Sequence, residues 1–542
     1  MRLIRELEKL QEERGYLDPA SLRELASRLR APLYRLEGLA SFYPHFRTWP
    51  VPAVTISVCR DMACHLAGGD GVADALEVEL AGRDDVRIEE TSCLGCCELA
   101  PAARVNGRAA RIGGIGEFGR EALSGSVPAE RSAPRAWRCD PYGTGSRYRV
   151  LSEALAEESA DSARDRIVEV LEGAGLRGMG GAGFPTGLKW KLVRREETVP
   201  KYVVCNADES EPGTFKDRVI MEDLPHLLVE GMALGGFVVG SDRGIIYLRH
   251  EYVEARMALD AEIRGARAAG LLGRRVLGSD FSFDIEIFVS PGGYILGEET
   301  ALLEALEDRR GEPRNKPPFP GQVGLHGRPT LVNNVETLAL VPGILKHGSE
   351  WWRSLGKGEH AGLKFIAVSG HVERPDVYEI EMGTTVRELI EEAGGVSGGR
   401  ALKAFAPGGA SSNFLPADRA DVPMDFATLE EAGSMLGSGA LVVVAEDTPM
   451  LPLAANVVRF FRNESCGKCV PCRVGTEKAS AMLESTISTG DPLDWETIEK
   501  LQLLLCETSI CGLGYVALNP LLSVAEHWPD EVPGSPGSRH DE

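Results

Sequence analysis

The sequence predicts a multidomain α/β protein. The chain has 542 residues, and at roughly 150 residues per domain that length suggests three or four domains. Between 151 and 345, short β-branched runs alternate with helical stretches, the pattern of an α/β sheet domain. Helical periodicity dominates the two ends, over 3–46 and 453–527, and cysteines sit at the loops of the second.

Residues 1–50 read as a helical prefix. Leu3, Leu7 and Leu10 repeat at helical spacing, and Asp18-Pro19 starts a second helix with Asp as N-cap and Pro at its first position. Leu22, Leu25 and Leu29 make its apolar stripe, and Phe42, Tyr43 and Phe46 follow as packing anchors. Residues 51–124 read as a small α/β unit. Strand 53–58 ends at Cys59, a helix spans 73–80, strand 86–90 runs into Thr91-Ser92-Cys93, and 104–112 folds as a hairpin around Asn106-Gly107. Segment 125–150, rich in Ser, Pro, Gly and Arg, is a linker or a wrapping segment. In the 151–345 domain, helix 164–171 leads into a glycine-rich loop at 178–187, and strands lie at 202–205, 245–248 and 285–289. A compact region over 360–447 opens on strand 364–368 and holds one helix, 386–393. Residues 448–528 are helical, and 529–542 read as a disordered tail. No internal repeat is visible.

Hydrophobic residues make up 43% and charged residues 26%, which excludes collagenous, low-complexity and wholly disordered classes. Eighty-one acids against 59 bases give a net charge of −22, which argues against a nucleic-acid partner. No stretch reaches the ~18 uninterrupted apolar residues of a membrane span; the best candidate, 227–240, contains Glu230. The charged N-terminus lacks the apolar core of a secretory signal. Together these point to the cytoplasm, where thiols stay reduced and clustered cysteines read as metal or redox sites.

Cys466, Cys469 and Cys472 form C-x2-C-x2-C, the spacing that wraps three thiolates around a [4Fe–4S] cube. Cys511, followed by Gly512, is the best fourth ligand, with Cys506 as runner-up, otherwise a buried small hydrophobe. Structural zinc on four thiolates is the alternative. Cys59 and Cys64 form C-x4-C, and Cys93 and Cys97 form C-x3-C. Two pairs on two loops suit a [2Fe–2S] rhomb, with zinc or a thiol–disulfide site as alternatives. Cys96 could replace Cys97 but ranks as a spectator.

The loop 178–187 contains five glycines in ten residues: Gly178, Gly180, Gly181, Gly183 and Gly187. A dinucleotide fingerprint needs a strand immediately before it, and here a helix precedes, which argues against an ordinary Rossmann site. Close backbone approach to a large planar or phosphorylated ligand is the functional reading, a flexible loop the bland one. Three further stretches are unusually polar: Asn206-Ala-Asp208-Glu209-Ser-Glu211, Gly297-Glu298-Glu299-Thr300 and Asn333-Asn334-Val-Glu336-Thr337. The first follows a strand, at the carboxyl edge where α/β sheets bind ligands. Asn and backbone amides can hold a flavin's ring edge and phosphate. Carboxylates can hold ribose hydroxyls and repel a 2′-phosphate, favouring NAD over NADP. Ordinary helix capping explains any one stretch, less easily all three.

These stretches together resemble a known family. Arg177–Trp190, Asn206–Asp217, Gly297–Leu303, Lys316-Pro-Pro-Phe319-Pro320 and Glu464–Gly475 look like the NADH-binding, 51 kDa-type subunit of respiratory complex I. Gln11–Leu17, Ser41-Phe-Tyr43, the C-x4-C and Cys93–Pro101 resemble the 24 kDa-type subunit. The chain thus looks like a fusion of the two, similar to the β subunit of NAD-dependent, molybdenum- or tungsten-containing formate dehydrogenases. The resemblance implies a thioredoxin-like [2Fe–2S] domain after the helical prefix, an FMN- and NAD(H)-binding α/β domain, a β-grasp (SLBB) domain and a C-terminal helical bundle with [4Fe–4S].

It also implies residue roles. Gly178 to Gly187, Asn206, Asp208, Glu209, Gly297, Asn333 and Asn334 would bind FMN. Lys189 would hold FMN and the dinucleotide, Phe184 and Phe319 would stack on the adenine, and Glu211, Glu298 and Glu299 would face NAD(H) with Tyr294 nearby. Cys59, Cys64, Cys93 and Cys97 would hold [2Fe–2S]; Cys466, Cys469, Cys472 and Cys511 would hold [4Fe–4S]. Leu296, Met179 and Ser210 depart from the residues usual in the family, and Ser290–Gly293 differs locally.

The resemblance implies that hydride would pass between nicotinamide and flavin, so no catalytic acid or base is assigned, and that the clusters would relay single electrons. The chain shows no site for a second substrate. A partner must supply it, and the leading choice is the α-type subunit of a formate dehydrogenase. A complex I-like quinone reductase, an NAD-linked hydrogenase and a tungsten aldehyde or bifurcating oxidoreductase are the alternatives. A non-enzymatic zinc-stapled scaffold is the alternative of a different class.

Overall fold

The computed structural model describes residues 2–126 and 135–537. The chain divides into two compact units, neither continuous in sequence: Met1–Ala53, Ala133–Glu209 and Asp217–Ser354 make the first, and Val54–Ser132, Ser210–Lys216 and Leu355–Glu542 the second.

A four-stranded parallel sheet organises the first unit, in the order Asp284–Val289, Arg243–Leu248, Tyr202–Ala207, Thr330–Asn334. Ile245–Leu248 and Val203–Cys205 are buried throughout, as expected where both faces of a parallel sheet are covered. The strand Thr330–Asn334 was not expected from sequence. It is five residues long and ends in two asparagines, which β-propensity disfavours; pairing along Tyr202–Asn206 supplies what propensity does not. From Tyr202–Ala207 the chain adds strands on one side, then returns to place Thr330–Asn334 on the other. The sheet therefore has a topological switch point between those two strands.

Helix Pro225–Val239 is buried along nearly its whole length, which explains an apolar run without amphipathic rhythm. A Cβ on Gly231 would lie 2.0 Å from the Leu338 carbonyl oxygen, so glycine is what permits its crossing with helix Val335–His347. Among the described residues no helix is long and apolar enough to cross a membrane.

The prefix folds as helices Leu3–Arg14, Pro19–Leu29 and Leu33–Ala40. Asp18 caps the second by accepting from the amides of Ala20 and Ser21 at 2.9 and 3.0 Å. Tyr43 and Phe46 are buried anchors, and the Tyr43 hydroxyl donates to the Arg309 carbonyl at 2.5 Å. Residues 135–148 wrap rather than link. Trp137 Nε1 donates to Asp223 at 2.9 Å, and buried Tyr142 donates to Glu230 at 2.8 Å. Residues 127–134 of the segment lie outside the described residues.

In the second unit, strands Val86–Thr91, Val54–Cys59, Ala102–Val105 and Arg108–Arg111 pair in that order. The hairpin turn has φ 48° at Asn106 and 85° at Gly107, the positive pair that a two-residue turn requires. A five-stranded sheet follows, ordered Asp376–Glu381, Leu363–Gly370, Ala440–Ala445, Leu402–Ala406, Leu415–Pro416, its first and last long strands parallel at the centre. Helix Val386–Glu392, held by a Thr385/Glu388 capping box, packs on it. This region holds a second helix, Phe426–Glu431, where one was expected; six residues are too few to show a period.

Helices Met450–Glu464, Val470–Thr489, Trp495–Thr508, Gly512–Val516 and Asn519–His527 close the chain. The expected disordered tail is corrected for 529–537. Glu531 pairs with Lys403 at 2.6 Å and accepts from the Met450 amide at 2.6 Å, Leu493 N donates to Pro533 O at 2.8 Å, and Val532 is buried. Its Pro/Gly/Ser composition conceals these long-range partners. Residues 538–542 lie outside the described residues.

Candidate functional site

The switch point gathers most of the residues singled out in the first unit. Asn206 and Asn334 are register partners at the carboxyl ends of adjacent parallel strands. Asn206 Nδ2 donates to the Gly297 carbonyl at 2.8 Å, and its Oδ1 accepts from the Asp208 amide at 3.2 Å. Asp208 accepts from the Ser290 hydroxyl at 2.6 Å. Asn334 caps helix Val335–His347 through the Glu336 amide at 2.9 Å, while its Nδ2 donates to Asp217 at 2.6 Å. Buried Trp190 fixes Asn333 by an indole N–H bond of 2.9 Å.

The glycine turn lies between helices Ala160–Ala174 and Thr186–Arg195, with no strand before it. Gly178 N donates to Phe184 O at 2.9 Å, and Met179 N donates to the Thr337 hydroxyl at 2.8 Å. Gly181 has φ 112° and Gly183 φ 63°, which side chains avoid. A Cβ on Gly180 would stand 2.9 Å from Asn334 Cβ, so the turn presses directly on the switch point. The exposed amides of Gly180, Gly181 and Ala182 have no hydrogen-bond acceptor among the described residues. Three amides of one turn left without an acceptor suit an anionic or ring-edge ligand, so the donor set fits a flavin mononucleotide. Gly187 has another use: a Cβ there would lie 2.8 Å from the Glu172 amide, so it serves helix packing.

The rings of Phe184 and Phe319 stay out in solvent, at 43% and 55% exposure, available for stacking on a base. Lys189 Nζ donates to the Val332 carbonyl at 2.9 Å and lies 3.6 Å from Glu299. Lys316 pairs with Glu298 at 2.8 Å and Glu299 at 3.1 Å. Burial works to raise the Glu299 carboxyl, but Lys189 and Lys316 outweigh it and hold the group below the usual carboxylate range. Glu298 also caps helix Glu299–Leu306 through the amides of Thr300 and Ala301, each at 2.9 Å. Tyr294 and Gly297 bound the 3-10 turn that leads into it.

Glu209 is buried and fully engaged. Its carboxylate accepts from the amides of Asp217 and Arg218 at 2.9 and 3.1 Å and from the Tyr252 hydroxyl at 3.0 Å. Its carbonyl accepts from Arg249 at 2.6 Å. Of the residues expected around the nucleotide, Glu211 alone belongs to the second unit, where it accepts from the Ser411 amide at 2.6 Å. Sequence reasoning did not single out Arg249, and it gave Thr337, the end of the third polar stretch, and Asp217, the end of the segment 206–217, no supporting role. A lone Arg carries no pattern.

The N-terminal thiols form one buried group. Cys93 and Cys97 sulfurs are 3.8 Å apart, and Cys59 lies within hydrogen-bonding reach of Cys64 and Cys93. Those neighbouring thiols, then burial, push the Cys59 thiol well up, and Cys93 with burial does the same to Cys97. The amides of Gly95 and Ala102 point at Cys93 and Cys64 sulfurs, each at 3.4 Å. Cys96 turns elsewhere, towards the Leu94 carbonyl and Arg104, both at 3.5 Å. The loop between Cys59 and Cys64 is gripped by buried Asn456, which accepts from Met62 N at 2.9 Å and donates to Arg60 O at 2.8 Å. Among the described residues no three His, Cys, Asp or Glu side chains converge as for a single metal ion.

At the C-terminal site, Cys472 has Cys469 and Cys466 as neighbours; burial above all pushes its thiol up to about 11. A Cβ on Gly514 would stand 3.5 Å from Cys472 Cβ, so the turn that Cys511 opens packs against this cysteine. Cys506 is exposed, not buried as expected: it lies on the outer face of helix Trp495–Thr508 and donates to the Tyr515 carbonyl at 3.4 Å.

Comparison with known proteins agrees with this layout. The family described as "Nuo51 FMN-binding domain" matches residues 171–343, "Thioredoxin-like [2Fe-2S] ferredoxin" matches 1–111, "SLBB domain" matches 365–412, and "NADH-ubiquinone oxidoreductase-F iron-sulfur binding region" matches 452–534. An NADH-quinone oxidoreductase subunit of Rhizobium meliloti is 46% identical over 394 residues, 72% of this chain and 92% of the relative. The NADH-quinone oxidoreductase relative of Escherichia coli is 44% identical over 396 residues, 72% of this chain and 88% of the relative. A chain in the crystal structure of an NAD+-reducing [NiFe]-hydrogenase in the H2-reduced state is 31% identical with a TM-score of 0.86, covering 99% of this chain and 94% of that one.

Proposed function

Since the chain belongs to the same family as these NADH-quinone oxidoreductase subunits, we propose that the residues at the switch point between Tyr202–Ala207 and Thr330–Asn334 would hold FMN and NAD(H), and that the chain serves a formate-oxidising partner. It is an NAD-dependent flavin and iron–sulfur oxidoreductase subunit of the complex I-like or NAD-reducing hydrogenase type. Bound FMN supplies the exchange of a hydride with nicotinamide and the release of its electrons one at a time.

The observation that carries the site is the glycine turn pressed on Asn334, with three amides that have no acceptor among the described residues. Gly178, Gly180, Gly181 and Gly183 would let the flavin approach the backbone. Asn206, Asp208, Gly297, Asn333 and Asn334 would line its polar edges, and Glu209 would hold that shell together rather than touch the ligand. Lys189 would place a positive charge between flavin and dinucleotide. Phe184 and Phe319 would stack on the adenine, and Glu298 and Glu299, with Tyr294 nearby, would accept ribose hydroxyls. These residues align and shield; none needs to move a proton for hydride transfer. Cys59, Cys64, Cys93 and Cys97 would hold the [2Fe–2S], and Cys466, Cys469, Cys472 and Cys511 the [4Fe–4S].

A molybdenum- or tungsten-containing formate dehydrogenase α-type subunit is the partner we propose, supported by the fused domain order. A nickel–iron hydrogenase partner is the second reading, favoured by the likeness over 99% of the chain. The thiol-rich sites suit the reducing cytoplasm. The test is anaerobic purification of the complex with its natural partner, followed by flavin, iron and metal analysis and by NADH–viologen, formate–NAD and hydrogen–NAD assays. Molybdenum or tungsten with formate–NAD turnover supports the first partner; nickel with hydrogen uptake refutes it. A colourless protein without NADH–viologen activity would overturn the whole reading.

A further inference from the structure

Arg104 is a buried cation without a buried anion to meet it. It lies on strand Ala102–Val105 and is only 6% exposed. One guanidinium nitrogen donates to the Gly107 carbonyl at 2.7 Å, the other points at the Cys96 sulfur at 3.5 Å, and Nε is buried with no acceptor. No carboxylate lies within ion-pair distance of it among the described residues. Arg60 pairs with Glu90, Arg111 lies exposed on carbonyls, and Asp61 accepts from the Cys93 amide at 2.9 Å. A buried charge left uncompensated is strongly unfavourable.

The strand's alternation shows what Arg104 faces. Side chains two apart share a face, and Ala102 packs with Cys59, Cys64 and Cys96. Ala109, the register partner of Arg104, packs against that same group. Arg104 therefore points to the cysteine face of the sheet. Two ferric ions, two sulfides and four thiolates carry a double negative charge, and a triple one after one-electron reduction. We propose that Arg104 is the buried counter-charge of the [2Fe–2S] centre and raises its reduction potential, since a fixed cation favours the more negative, reduced form. This rests on the assignment of the four thiols given above.

The experiment is a potentiometric titration of the complete protein, followed by the electron paramagnetic resonance of the reduced clusters. Iron and labile sulfide in the unaltered chain test the cluster assignment first, so that its failure is distinguishable from failure of the Arg104 reading. Arg104→Gln keeps a donor for Gly107 but removes the charge; we expect its [2Fe–2S] reduction equilibrium to shift roughly tenfold or more, about 59 mV downward for one electron. Arg104→Lys keeps the charge and should hold the original potential, and the [4Fe–4S] signal should not move in either variant. An intact cluster at unchanged potential in Arg104→Gln overturns the proposal, as does an equal shift in both variants. If Arg104→Gln loses its iron, Arg104→Gln/Ala109→Lys restores a cation on the register partner. Regained iron then supports the counter-charge, and no recovery overturns it.

Discussion

A single added methyl group tests whether the glycine turn and the switch point are one device. Gly180→Ala would place a Cβ 2.9 Å from Asn334 Cβ, 3.2 Å from Cγ and 3.3 Å from Nδ2. The conformation at Gly180 is not a left-handed one, so the clash rather than backbone strain is the perturbation. Either Asn334 yields or the turn does. If Asn334 yields, its cap on helix Val335–His347 weakens, worth ~1 kcal/mol, and its bond to Asp217 at 2.6 Å stretches, worth about 1.5–3 kcal/mol for a bond to a charged group. If the turn yields, the amides of Gly180, Gly181 and Ala182 lose their aim. With partial relaxation, about 1–3 kcal/mol should appear in flavin affinity, roughly a 5- to 150-fold weaker FMN dissociation constant. The assay is fluorescence titration of the flavin-free protein with FMN, beside its thermal unfolding. Gly265→Ala is the control, because a Cβ there meets nothing within 4 Å in an ordinary helix. A Gly180→Ala protein that binds FMN as tightly as the unaltered chain would refute the placement of the flavin.

Other perturbations address single links. Cys97→Ser should abolish or cripple the [2Fe–2S] signal while Cys96→Ser keeps its iron, because only Cys97 lies 3.8 Å from Cys93; the reverse pattern in iron analysis would reassign the ligand. Asn456→Ala leaves the Met62 amide and Arg60 carbonyl unpaired, at ~1–3 kcal/mol each, and should make the [2Fe–2S] centre labile under chelator challenge. Lys189→Gln removes a charged donor worth about 1.5–3 kcal/mol, so NADH–viologen kcat/KM should fall roughly 10- to 100-fold; an unchanged value excludes its role. Burial lifts the Glu230 carboxyl to about 7, against the opposing bonds from Leu151 N and Tyr142. Its folded-state value lies above its unfolded one, so its contribution is full below pH ~4 and is lost as pH rises through about 7, ~3 kcal/mol in all. Glu230→Gln should flatten that part of the melting-temperature profile between pH 5 and 8, and parallel profiles would contradict the assignment.

How much of this was legible in the sequence depends on the range of the interactions concerned. The Asp18-Pro19 helix start and the Asn106-Gly107 turn are set by neighbours within three residues, and both stand as read. The cysteine spacings are equally local; the structure sets the Cys93 and Cys97 sulfurs 3.8 Å apart and turns that of Cys96 towards Arg104. Strand Thr330–Asn334, the packed segment 529–537 and exposed Cys506 were misread or missed. Each is decided by partners a hundred or more residues away, or by which side of a helix faces inward. Asn456 gave no signal for the same reason, its partners Met62 and Arg60 lying nearly four hundred residues away; Arg104 gave none because a lone Arg in a short strand does not show which face it takes.

The three polar stretches resist a division into capping residues and ligand-binding residues. Asn334 and Glu298 are helix caps, and Glu209 accepts from the first amides of helix Lys216–Asp223, as the bland reading of each would have it. Yet Asn334 is also the side chain on which the glycine turn rests, and Glu298 is bound to Lys316, which shares Glu299 with Lys189. The two uses reinforce each other. A capping side chain is fixed by two amides of a rigid helix, so its remaining lone pairs and its contacts are held without further ordering cost, which is what a site that only aligns its cofactor requires. Helix starts also converge at the carboxyl ends of parallel strands, where their positive ends favour an anionic ligand. Capping and binding at this sheet edge are therefore one arrangement. Substituting any of these caps should weaken flavin retention and helix stability together, in proportion, rather than one without the other.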